Sequence, residues 1–86
     1  MNNPTRLKRL YFRSAHRGSK ETDLILGPYA ADNLGNMSEA ELDEFESFLG
    51  ENDSDIWDWV AGKYMPEDGQ YVALIESLRK RYAVSD

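Results

Sequence analysis

With 86 residues, a single histidine (His16) and no cysteine, the chain can build one small core, but no disulfide, thiol nucleophile, zinc finger or multi-histidine metal site. Its net charge of −6 is divided unevenly: residues 1–20 hold Arg6, Lys8, Arg9, Arg13, Arg17 and Lys20 with no acid, and all sixteen acids follow. Such an acidic body lacks the positive field of a nucleic-acid binder, and no apolar run is long enough for a bilayer span or a signal-peptide core.

The first helix begins near Pro4-Thr5, with Leu7, Leu10, Tyr11 and Ser14 on one side. Arg6, Arg9, Arg13 and Arg17 form a separate stripe beside that face. The start has the composition of a transit peptide, but its apolar spacing and direct run into Arg17-Gly18 read as a structural helix. Gly18 interrupts it. A second helix opens at Asp23-Leu24-Ile25-Leu26, and Gly27-Pro28 is expected to kink or restart it, because Pro28 has no N–H to donate. Tyr29, Ala30 and Ala31 lead to Leu34, with Gly35 as the stop.

Ser38 and Glu41 have the spacing of a capping box, and Met37 and Leu42 that of a hydrophobic staple. Leu42, Phe45 and Leu49 continue the buried face of this third helix, which Gly50 closes. Asn52-Asp53-Ser54 caps a fourth, bearing Ile56, Trp57, Val60 and Tyr64 and ending before Pro66. A fifth follows Asp68, with Val72, Ile75, Leu78 and Tyr82 inward and Arg79-Lys80-Arg81 near its C-terminal dipole. No strand alternation or hairpin turn occurs. The expected fold is all-α, a compact five-helix bundle forming one domain over 1–86.

Arg17-Gly18-Ser19-Lys20-Glu21 is the densest functional signal. Its simplest reading is punctuation, with Gly18 in a left-handed turn and Glu21 favoured by the next helix dipole. The spacing also resembles the RGxxE signature of the FAD assembly factors that promote covalent flavinylation of succinate dehydrogenase. Asp23 extends it to RGxxExD, and Pro28 sits inside the following apolar segment. The run Glu51-Asn52-Asp53-Ser54-Asp55-Ile56-Trp57-Asp58-Trp59-Val60 resembles that family's second signature, an acidic turn entering an aromatic-x-Trp-aliphatic helix. Together the two cover most of the chain from Arg13 to Pro66. One departure is His16, where many members carry a second Arg, so a permanent charge is replaced by an imidazole.

The resemblance implies a five-helix bundle whose Arg17-Gly18 turn docks on the flavoprotein subunit of succinate dehydrogenase, near its flavin and the histidine to be modified. Arg17 and Glu21 would be presented outward, with His16, Gly18 and Asp23 beside them and Arg9 and Arg13 as the rim of the docking surface. Trp57 and Trp59 lie about 200° apart on a helix and cannot both centre one buried face. Periodicity places Trp57 inward, whereas Trp59 is the family's characteristic residue and is carried as a partner contact; which of the two is exposed stays open. The acids Glu39, Glu41, Asp43, Glu44 and Glu46 read as a solvated face, set apart from the Arg-rich surface.

No nucleophile–base pair, phosphate loop or metal-ligand spacing is present, so no enzymatic activity is expected. The resemblance implies that FAD belongs to the client and is not stably bound here, with fumarate reductase as a further candidate client. Neither nucleic acid nor membrane insertion is expected. The absence of a presequence points to the bacterial cytoplasm, or to the mitochondrial matrix in a eukaryotic source. The rival class is a regulatory binding module, such as an antitoxin-like inhibitor of another protein, which fold and composition equally permit.

Overall fold

The computed structural model describes residues 4–82; residues 1–3 and 83–86 of the expected 1–86 domain lie outside the described residues. Five α-helices follow one another: α1 (Pro4–Ala15), α2 (Lys20–Asn33), α3 (Glu39–Phe48), α4 (Asp53–Ala61) and α5 (Val72–Tyr82). Short 3₁₀ turns, Leu34–Asn36 and Glu67–Gly69, precede α3 and α5. The expected all-α bundle is what forms, within a globule of 35 × 27 × 25 Å. The most extensive helix–helix packing is that of α1 on α2.

α2 is not restarted at Gly27-Pro28; it runs on as one helix. Pro28 withdraws the hydrogen bond owed to the Leu24 carbonyl, but both residues lie on the exposed side, where water can take it. Gly27 instead serves the α1–α2 crossing, where a Cβ would stand 3.3 Å from that of Ala15.

α3 begins as its sequence dictates. The Ser38 hydroxyl accepts from the Glu41 N–H at 3.1 Å, and the Ser38 N–H donates to Glu41 Oε1 at 2.8 Å. Leu42, Phe45 and Phe48 lie fully inside, and Met37 packs against the core as the staple requires. Gly50 follows the cap residue Leu49 but is not left-handed; its N–H closes the turn on the Ser47 carbonyl at 3.0 Å.

The core joins Leu10 of α1, Leu26 of α2, Leu42 and Phe45 of α3, Ile56 of α4, and Ile75 and Leu78 of α5, all without exposed surface. Tyr11 and Val72, expected inward, lie at the surface, while Leu74 is buried. Tyr71 just before α5 organises this end of the molecule. It stands edge-on to Phe48 at 5.2 Å, and its hydroxyl donates to Glu51 Oε2 at 3.0 Å and lies 2.9 Å from Ser47 Oγ. Its φ of 59° is the one positive value at a non-glycine position among the described residues, a strain of about 1 kcal/mol that these contacts outweigh.

Candidate functional site

The Arg17-Gly18 turn connects α1 to α2. The His16 N–H still bonds the Phe12 carbonyl at 3.0 Å, and the chain then reverses at Gly18 with φ +102°, a value that side chains rarely adopt. Asp23 reaches back from the first turn of α2, where Oδ1 accepts the Arg17 N–H at 2.7 Å. Ser19 precedes α2 in extended conformation and donates its hydroxyl to Glu21 Oε1 at 3.1 Å. Asp23 thus holds the loop from inside, while His16, Gly18 and Glu21 face solvent. The His16 ring lies 4.4 Å from that of Phe12, itself 62% exposed.

Arg17 points the other way. Its side chain is 10% exposed, which corrects the expectation that it is presented outward. Nε donates to Asp53 Oδ1 at 2.5 Å, Nη1 to the Leu49 carbonyl at 2.7 Å and Nη2 to the Glu51 carbonyl at 2.7 Å. Leu49 and Glu51 stand where α3 ends, and its last carbonyls have no partner within the helix. Asp53 opens α4, where a carboxylate also suits the helix dipole. One planar guanidinium therefore joins the end of α3, the start of α4 and the α1–α2 turn. Asn52, the expected cap, makes no side-chain bond there.

The arginine stripe is also turned to internal use. Arg6 reaches Asp43 at 2.7 Å, Glu46 at 2.9 Å and Glu39 at 3.5 Å, and the hydrogen bond it donates to Asp43 comes first among the causes that raise its pKa. Arg9 and Arg13 each approach Glu46 at 3.7 Å. The stripe thus binds α1 to the acidic face of α3, correcting the expectation that the two surfaces lie apart. Opposite charges on neighbouring helices neutralise each other at the lowest solvation cost when both stay partly wet. Arg9 and Arg13 keep 52% and 39% exposure, so they still offer surface beside the turn.

The tryptophans resolve in the opposite sense from the helical periodicity. Trp59 is 5% exposed, 6.0 Å from the Phe48 ring and 6.1 Å from that of Tyr71. A side chain so enclosed has almost no surface to offer, which corrects its assignment as a partner contact. Trp57 is 39% exposed and lines a surface cavity of about 370 Å3 with Ser19, Glu21, Asp53 and Ser54. The two signature segments, distant in sequence, therefore form one surface. Tyr64, expected on the fourth helix, lies beyond its end at Ala61 and is exposed; its hydroxyl donates to Asp55 at 2.5 Å, and this bond leads the causes that push its pKa up to about 12.

Among the described residues, no group of histidine and carboxylate side chains could hold a metal. A wider cavity of about 540 Å3 is lined by Glu51, Asp55 and Glu67 with Tyr64 and Met65, and its carboxylates would repel the pyrophosphate of a flavin dinucleotide. That cavity does not fit FAD.

The model of the family described as flavinator of succinate dehydrogenase matches residues 8–82, from the middle of α1 to the end of α5. The chain belongs to that flavinator family. It is 46% identical over 56 residues to the mitochondrial succinate dehydrogenase assembly factor 2 of Candida glabrata, covering 65% of this chain and 37% of that protein. It is 38% identical over 64 residues to the FAD assembly factor SdhE of Acetobacter pasteurianus, covering 73% and 59%. The mitochondrial assembly factor 2 of Meyerozyma guilliermondii is 32% identical over 80 residues, covering 88% and 59%. The chain thus spans from 37% to 59% of the length of these curated relatives. Flavinators of this family occur in bacterial and mitochondrial settings, and no described helix of this member is long and apolar enough to cross a membrane.

Proposed function

We propose that this flavinator binds the flavoprotein subunit of succinate dehydrogenase and promotes covalent attachment of FAD to a histidine of that subunit. The observation that carries the reading is the fixed, outward-facing turn at Gly18. Arg17 and Asp23 pin it from within, a Cβ at Gly18 would meet nothing within 4 Å, and Glu21 stands exposed beside it. A rigid backbone with open space above it is suited to close approach by a partner.

The bond-making chemistry belongs to the flavin and the subunit's histidine. The flavinator contributes by holding the subunit in the conformation that aligns them, and it catalyses no step with side chains of its own. FAD stays with the client. Fumarate reductase is proposed as a second client class, and the cytoplasm as the site of action in a bacterium. Purified apo-subunit and FAD, incubated with and without the flavinator, test this by in-gel flavin fluorescence after denaturation. Faster accumulation of protein-bound flavin is expected; equal rates, with no complex between the two proteins, would refute the reading.

A further inference from the structure

Between α2, α4 and α5 lies a groove of about 460 Å3 lined by Ile25, Trp57, Val60, Ala61, Arg79 and Tyr82. Its floor is fixed, because the Tyr82 hydroxyl donates to the Ile25 carbonyl at 2.6 Å and ties the last turn of α5 to α2. Its wall is Trp57, and Leu24, beside Ile25 on α2, is 68% exposed. Scattered exposed apolar residues are ordinary, but a half-exposed tryptophan walling a largely apolar groove has the character of an interface anchor.

Arg79 gives the groove its chemistry. Arg6, Arg17 and Arg81 all pair with carboxylates, yet the Arg79 side chain makes no hydrogen bond or ion pair among the described residues. It lies beside the end of α4. Gly62 ends α4 with φ +86°, and a Cβ there would stand 2.8 Å from Arg79 Nη2, so the guanidinium lies in space that only glycine leaves. A guanidinium with no carboxylate partner among the described residues, at the edge of an apolar groove, is complementary to a carboxylate next to an apolar group. The groove is also continuous with the turn, since Trp57 lines both it and the cavity formed with Ser19 and Glu21.

We propose that this groove is a second docking site for the flavoprotein subunit, taking an apolar side chain against Trp57 and a neighbouring carboxylate against Arg79. The inference rests on the reading that the subunit is the partner, and it adds an anchor that the glycine turn does not provide. With 5-fluorotryptophan incorporated, the chain carries two fluorine probes, Trp57 and Trp59. Addition of the apo-subunit should shift or broaden the Trp57 resonance and leave that of Trp59 in place. Trp57→Ala should weaken binding about 30-fold with unchanged melting. Arg79→Glu should weaken it at least ten-fold, with Arg79→Lys recovering part of the loss.

A complex that forms with normal affinity for both variants and an unmoved Trp57 resonance overturns the groove and leaves the proposed function standing. Absence of any complex with the unaltered chain overturns both. A Trp57 resonance that moves with the chain's own concentration, without the subunit, assigns the groove to a second copy and also overturns the proposal.

Discussion

Arg17 and Asp53 meet at 2.5 Å across 36 residues of chain, and this contact joins the two signature segments of the family. The glycine turn and the start of α4 are held in register by one side chain. Arg17 fixes the turn that carries Gly18 against the start of α4, and its own guanidinium faces the protein.

Arg17→Ala should therefore be a stability variant first. It leaves Asp53 and the Leu49 and Glu51 carbonyls without their donor, at a cost of about 3 kcal/mol. Arg17→Lys should recover little, because an ammonium cannot reach three divergent acceptors. Urea unfolding checks this; a variant that melts normally but fails to bind the subunit would return Arg17 to the contact surface.

Gly18→Arg should fold and fail to flavinylate. The backbone strain is about 1–2 kcal/mol, and the space around the position is open, so the bundle survives. Circular dichroism and in-gel flavin fluorescence separate the two effects. Normal flavinylation by this variant would contradict docking at the turn.

Arg6→Ala tests the clasp between α1 and α3. It removes the shared partner of Glu39, Asp43 and Glu46, and should lower Tm by a few degrees at low ionic strength. Molar salt should shrink the difference from the unaltered chain, since screening weakens what the substitution deletes. A difference independent of salt would mean that packing of the arginine stem, and not its charge, is responsible.

Ser38→Ala should cost about 1 kcal/mol by opening the capping box, with no change in the maximal rate of flavinylation. Thermal unfolding and a saturating flavinylation assay read the two quantities independently.

Alkaline stability should report the Tyr64–Asp55 bond. The folded state holds the phenol proton up to about pH 12, whereas the unfolded chain releases it near pH 10.0. The contribution is complete below the lower value and vanishes as pH rises through the higher one. Stability of the unaltered chain should thus fall more steeply than that of Tyr64→Phe across this window. Parallel curves in chemical denaturation would show that the bond does not persist in solution.

Much of this molecule follows from contacts within one or two helical turns, and those features are legible along the chain. The capping box at Ser38, the reversal at Gly18 and the inward positions Leu42, Phe45, Ile75 and Leu78 rest on hydrogen bonds and periodicity spanning a few residues. The family signatures are local patterns too. The tertiary structure alone decided which way the long charged and aromatic side chains turn. Arg17 finds its acceptors 32 to 36 residues away, Arg6 meets Asp43 and Glu46 on another helix, and Trp59 is enclosed by Phe48 and Tyr71. An arginine stripe or a pair of tryptophans has the same spacing whether it faces water or a neighbouring helix. Only the approach of the acidic face and last carbonyls of α3 to α1 and its turn, and of Tyr71 to α4, supplies the partners that settle their direction.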